Sequence, residues 1–152
     1  MSAQTELHAQ GVEYAINALR RRGCAVTRTD GTCAVTCLVN GLAVGVRVAR
    51  TRVTKHPVTV GGRRYSYRYP ILHWNLHVHG QKVHSPDVWL LVAIGPSPRP
   101  RVFIVPADVV GRTKTAQVLD TPSARTSTRG RLRAYEGAWG ILTAARRRER
   151  AA

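Results

Sequence analysis

The segment Val88–Ile94 reads VWLLVAI, seven residues without one charged side chain. So short and so apolar a run predicts a strand buried on both faces. A strand of that kind sits inside a sheet that is covered on both sides. The rest of the chain must therefore supply further strands beside it and layers above and below it.

The flanking pattern supplies them. Leu7, Val12, Ala15, Ile16 and Leu19 recur at helical spacing and predict an amphipathic helix over 4–22. Arg20, Arg21 and Arg22 suit the negative end of its dipole, and Gly23 stops it. Strands are expected at 24–29 and 32–39, separated by Asp30-Gly31, and at Leu42–Arg50 after the hairpin signal Asn40-Gly41. Residues 51–70 read as a projecting hairpin turning at Gly61-Gly62. Next come a strand at 72–79 with Trp74, Leu76 and Val78 on one face, the apolar run, and a turn at 96–100. A second buried strand follows at 102–105, then a short helix near Asp108 and an edge strand at 116–119. A closing helix is expected over 132–148, with a basic tail at 146–152. The expectation is one α/β (α+β) domain spanning 1–152, a mixed central β-sheet flanked by N-terminal and C-terminal helices. Its 43% apolar content is enough for a core.

Charge restricts the partner. Lys and Arg total 24 against eight acids, a net +16, and only Lys55, Lys82 and Lys114 are Lys. Arg-rich surfaces attract polyanions and grip phosphate with a planar fork. No apolar run reaches the roughly 18 residues of a membrane span, and no signal-peptide core opens the chain. No membrane association and a cytoplasmic (intracellular) location, compatible with the nucleoid, are expected. Between Asp30 and Asp87 the chain has eight cations and no acid. Arg47, Arg50, Arg52, Lys55, Arg63, Arg64 and Arg68 stand there with Tyr65, Tyr67 and Tyr69. Strand alternation puts the three tyrosines on one face and Arg64 and Arg68 on the other. These residues apart from Tyr69, with Arg129 and Arg131 of a second cluster, are the candidate nucleic-acid contacts. No recognition-helix signature appears, so contact to phosphate and shape is expected.

Other chemistries find less support. Cys24, Cys33 and Cys37 lack metal-ligand spacing and read as core thiols. His73, His77 and His79 share a strand face, which makes them the alternative metal set. The same histidines suit a nucleic-acid-facing surface better than a metal, and plain structural use is the third reading.

Several stretches resemble the PD-(D/E)XK, or restriction-endonuclease-like, nucleases, particularly small Holliday-junction resolvases and intron-homing enzymes. They are Glu13-Tyr14 with Leu19 and Gly23-Cys24-Ala25-Val26, the hairpin around Asn40-Gly41, Trp74-Asn75-Leu76, Asp87-Val88-Trp89, Ile104-Val105-Pro106 and Tyr135-Glu136-Gly137-Ala138-Trp139. The resemblance implies a restriction-endonuclease-like core, a DNA partner and, since members often pair across the helix face, a homodimer. It also implies a Mg²⁺ site of Asp and Glu-x-Lys on the hairpin strands. Here those positions hold Cys37 (or Thr36), Gly45 and Arg47. The resulting expectation is a DNA-binding protein of nuclease-like fold without metal-dependent cleavage and without a cofactor. The alternatives are an active Mg²⁺-dependent endonuclease or resolvase using Glu13, Asp87 and Arg47, and a structural subunit of a ribonucleoprotein.

Overall fold

The computed structural model describes residues 3–29, 35–76, 86–111, 114–119 and 128–144; of Thr54, His56, Val58, Tyr67, Tyr69, Leu119 and 128–130 it describes the backbone alone. Helix α1 (Ala3–Arg21) precedes strands β1 (Val26–Arg28), β2 (Cys37–Val39), β3 (Leu42–Arg50), β4 (Arg52–Val60), β5 (Arg63–Asn75), β6 (Val88–Ile94) and β7 (Arg101–Pro106). A short helix α2 (Ala107–Val110), strand β8 (Thr115–Leu119) and a 3-10 helix (Thr128–Tyr135) follow.

Two sheets form. The larger has the order β1-β2-β3-β6-β7, and only its β3–β6 pair is parallel. It is the expected mixed sheet. The smaller is an antiparallel sheet, β4-β5-β8. A parallel pair needs a long crossover. Here the β4–β5 hairpin lies within that crossover, where many α/β folds use a helix.

Strand β6 feeds two cores. Val88, Leu90 and Val92 pack with Val12, Ala15, Ile16 and Leu19 of α1 and with Ile104. Trp89, Leu91 and Ala93 pack with Leu72 and Trp74 of β5, Phe103 of β7 and Val118 of β8. One face of the large sheet is thus covered by helix and the other by the small sheet. Gly11 lets α1 lie directly on β3: a Cβ there would come within 2.4 Å of a Val48 methyl. Trp74 is 1% exposed, meets Phe103 edge-on at 5.5 Å, and donates its indole N–H to the Val92 carbonyl at 2.9 Å. That bond ties the two sheets together.

Asn40 and Gly41 turn the β2–β3 hairpin with φ of 50° and 85°, as such a dipeptide should. The buried Asn40 side chain accepts the Ala25 amide at 2.9 Å and donates to the Leu142 carbonyl at 3.3 Å. It secures both β1 and the end of the described chain.

Two expectations are corrected. The hairpin and the following strand are one: β5 runs unbroken for 13 residues, because β8 continues its pairing from Ile71 onward. Residues 77–79 lie outside the described residues. The closing helix does not start at 132. The 3-10 helix ends at Tyr135, Glu136 bridges Phe103 of β7, and Gly137 at φ 67° donates to the Val102 carbonyl at 2.8 Å. Arg101 grips the Glu136 carboxylate with two bonds, of 2.8 and 2.9 Å. These contacts to β7 interrupt the helix, which is regular over 140–144. Leu142 lies fully buried in the same core as α1, so both helical segments cover the same face of the sheet.

Trp74→Ala should cost about 3–5 kcal/mol, and Trp74→Phe, which removes the inter-sheet hydrogen bond with less loss of volume, about 1–2 kcal/mol. Urea unfolding of both variants with an unchanged m-value checks this.

Candidate nucleic-acid interface

Alternation decides what the hairpin strands offer. Val44, Val46 and Val48 of β3 face α1, so Gly45, Arg47 and Ala49 face the other side. Cys37 pairs with Val44 and is fully buried in the helix-side core. Burial pushes its thiol up to about 11, against a small opposing effect of Arg28. It is therefore a protonated core thiol at neutral pH. Thr36 is the residue that shares the face of Gly45. Its amide donates to the Val44 carbonyl at 2.8 Å, and its hydroxyl accepts the Val46 amide at 3.0 Å.

Arg47 lies over the Trp89 ring, its guanidinium carbon 5.0 Å from the centroid, and donates to the Val46 carbonyl at 3.0 Å. Burial holds its guanidinium below the ordinary arginine range, yet such a group remains a cation at neutral pH. Magnesium asks for oxygen ligands, mostly carboxylates. Thr36, Gly45 and Arg47 present a hydroxyl already engaged with the backbone, no side chain, and a positive charge. That donor set does not fit the ion.

The remaining acids of the displaced set lie elsewhere. Glu13 pairs with Arg28 of β1 at 2.7 Å, on the helix side of the sheet. Asp87 accepts the Ala43 amide at 2.9 Å, and its backbone bonds both Ala43 and Ala107. Its carboxylate thus clamps the start of β3, four residues or ~13 Å of strand from Arg47. Glu13, Asp87 and Arg47 are not brought together. Among the described residues, no three His, Cys, Asp or Glu side chains gather where they could hold a metal ion. His73 is exposed on β5, while His77 and His79 lie outside the described residues.

Arg47 does open into a cleft of about 780 Å³, with Arg50, Arg52, His73, Asn75, Gln117 and, from α1, Gln4 and His8 among its lining residues. Among the described residues, no carboxylate lines it. Among the described residues, β2 pairs with β3 over Leu42–Val44 and the second half of β3 has a strand on the β6 side alone; the cleft runs along that margin. His8 was not anticipated. Burial, with the charge of Arg47 added, holds its imidazole below the ordinary histidine range. The available signal was the run Gln4, His8, Gly11 at helical spacing, a polar and small stripe beside the apolar face.

From the cleft, β4 and β5 continue as a two-stranded ribbon. Their register pairs Lys55 with Arg68, Thr59 with Arg64 and Val60 with Arg63 around Gly61-Gly62. All six of these residues are exposed, as is Tyr65; the Tyr67 side chain lies outside the description. Among the described residues, β8 pairs with β5 only from Ile71 onward, so the ribbon beyond it has no third strand. Arg131 donates to the Val109 carbonyl at 2.8 Å and does not line the cleft. The Arg129 side chain is outside the description.

No helix among the described residues is long and apolar enough to cross a membrane. No protein-family model matches the sequence, and no curated relative matches it. The solved structure of a bacterial homing endonuclease, I-Ssp6803I, superposes with a TM-score of 0.63 over 100% of both chains, at 16% identity. The fold is therefore nuclease-like.

The depressed His8 midpoint carries a sign. The unfolded chain takes up a proton near pH 6.5 before the folded chain does, so His8 lowers stability as pH falls from 6.5 toward its folded midpoint. In Arg47→Gln the His8 midpoint should rise and this loss should shrink. An NMR titration of the His8 imidazole reads the first, and acid-side unfolding curves read the second.

Proposed function

We propose that this chain is a DNA-binding protein of PD-(D/E)XK type that grips the phosphate backbone and does not cut it. The observation that carries the reading is the distribution of charge. Arg47, Arg50 and Arg52 line the cleft, and Lys55, Arg63, Arg64 and Arg68 continue from it along the ribbon. Among the described residues, no carboxylate lines that cleft. A concave surface of one sign focuses its field on a polyanion. The nuclease-like fold of the homing endonuclease supports DNA as that polyanion. Thr36 and Gly45, at the positions where the resemblance calls for carboxylates, and Arg47, at that of the lysine, support the absence of metal-dependent cleavage.

With four to seven of these cations on phosphates, log K against log salt should fall with a slope of about −4 to −6 on duplex DNA, and Arg50→Ala should make it about 0.9 shallower. Fluorescence anisotropy between 50 and about 300 mM salt measures both. Incubation with Mg²⁺ or Mn²⁺ should leave the duplex intact. Cleavage that disappears in Glu13→Ala or Asp87→Ala would reverse the reading in favour of an active endonuclease.

A further inference from the structure

We infer that the β4–β5 ribbon enters the major groove of B-form duplex DNA and reads bases there with the face that carries Arg64 and Arg68. The inference rests on the DNA-binding reading above and goes beyond backbone contact. Two paired strands lie about 4.8 Å apart, so with side chains the ribbon fits a groove about 12 Å wide. The part of β5 that has no third strand among the described residues, from Arg63 to Pro70, extends about 23 Å, and β8 joins β5 after it. A third strand would make the element too broad for the groove.

The face presented is suited to base edges. Cross-strand register places Lys55 beside Arg68 and Thr59 beside Arg64, with Ser66 between the two pairs on β5. All five side chains are exposed. Residues two apart on a strand are separated by about 6.7 Å, which is about two base-pair steps of 3.4 Å. Arg64 and Arg68 are thus about four steps apart. An arginine fork matches the O6 and N7 acceptors of guanine, while Ser and Thr accept either pattern. The major groove of A-form RNA is deep and narrow and does not admit such a ribbon. The geometry therefore selects DNA over double-stranded RNA, which charge alone does not.

Selection of bound duplexes from a pool with a randomised centre, using the full chain at about 0.15 M salt, tests the inference. The expected product is a motif with two guanines about four steps apart, bound at least tenfold tighter than a scrambled duplex. Arg64→Lys and Arg68→Lys keep the charge and remove the fork. Each should lower the preference for a different one of the two guanines about tenfold, while binding to the scrambled duplex stays within about twofold. An RNA duplex of the motif sequence should bind no better than the scrambled DNA. Duplexes retained without any motif would overturn the groove reading and leave backbone binding in place. A motif unchanged in both lysine variants, or equal binding to the RNA duplex, would also overturn it. Failure to retain any nucleic acid at low salt would remove the DNA-binding reading together with this one.

Discussion

The double burial of β6 is the constraint on which the other elements depend. Its alternate residues enter separate cores, with Leu90 fully buried on one side and Leu91 on the other. Each core then needs a cover, and the two covers differ. Helix α1 is laid down on one face, close enough that Gly11 meets Val48. The small sheet is laid on the other and is held there by the Trp74 indole on the Val92 carbonyl. Because β5 is anchored at Leu72 and Trp74 in that second core, its other half is left to project with β4. The ribbon is in this sense a consequence of how the back of β6 is closed.

The same constraint sets the electrostatics of the cleft. Arg47 points to the small-sheet side since Val46 and Val48 are committed to the helix side. Desolvating a guanidinium is costly, and the ring of Trp89 beneath it, with the Val46 carbonyl, offsets part of that cost. Partial burial and the Arg47 charge hold the His8 imidazole beside it below the ordinary histidine range, which disfavours a second cation there. Carboxylates that would neutralise this charge are engaged elsewhere, Glu13 with Arg28 and Asp87 with the Ala43 amide.

Local features were legible in the sequence because their causes are local. The apolar run of β6, the Asn40-Gly41 turn and the Gly61-Gly62 hairpin each follow from a few neighbouring residues, and each is found where expected. What was not legible depended on register or on distant contacts. Cys37 and Thr36 could not be separated until pairing with Val44 fixed which one faces inward. The interruption at Gly137 comes from contacts with Val102 and Phe103, more than 30 residues earlier. His8 entered the cleft because α1 crosses β3 at Gly11, a crossing angle that helical periodicity does not specify. Arg47 stands out both in the acid-free basic stretch and in the family resemblance, but its partner Trp89 follows only from the parallel register of β3 and β6.

The Asn40 bonds have a bearing on the order of assembly. One side-chain amide joins a turn formed early in the chain to the carbonyl of Leu142, 102 residues later, and the Leu142 side chain fills the helix-side core. Closing so long a loop has to precede the contacts that reward it. During synthesis, α1 and the first hairpin can meet long before that core is sealed. Until the segment around Leu142 docks, the part of that core which it covers stays open to water.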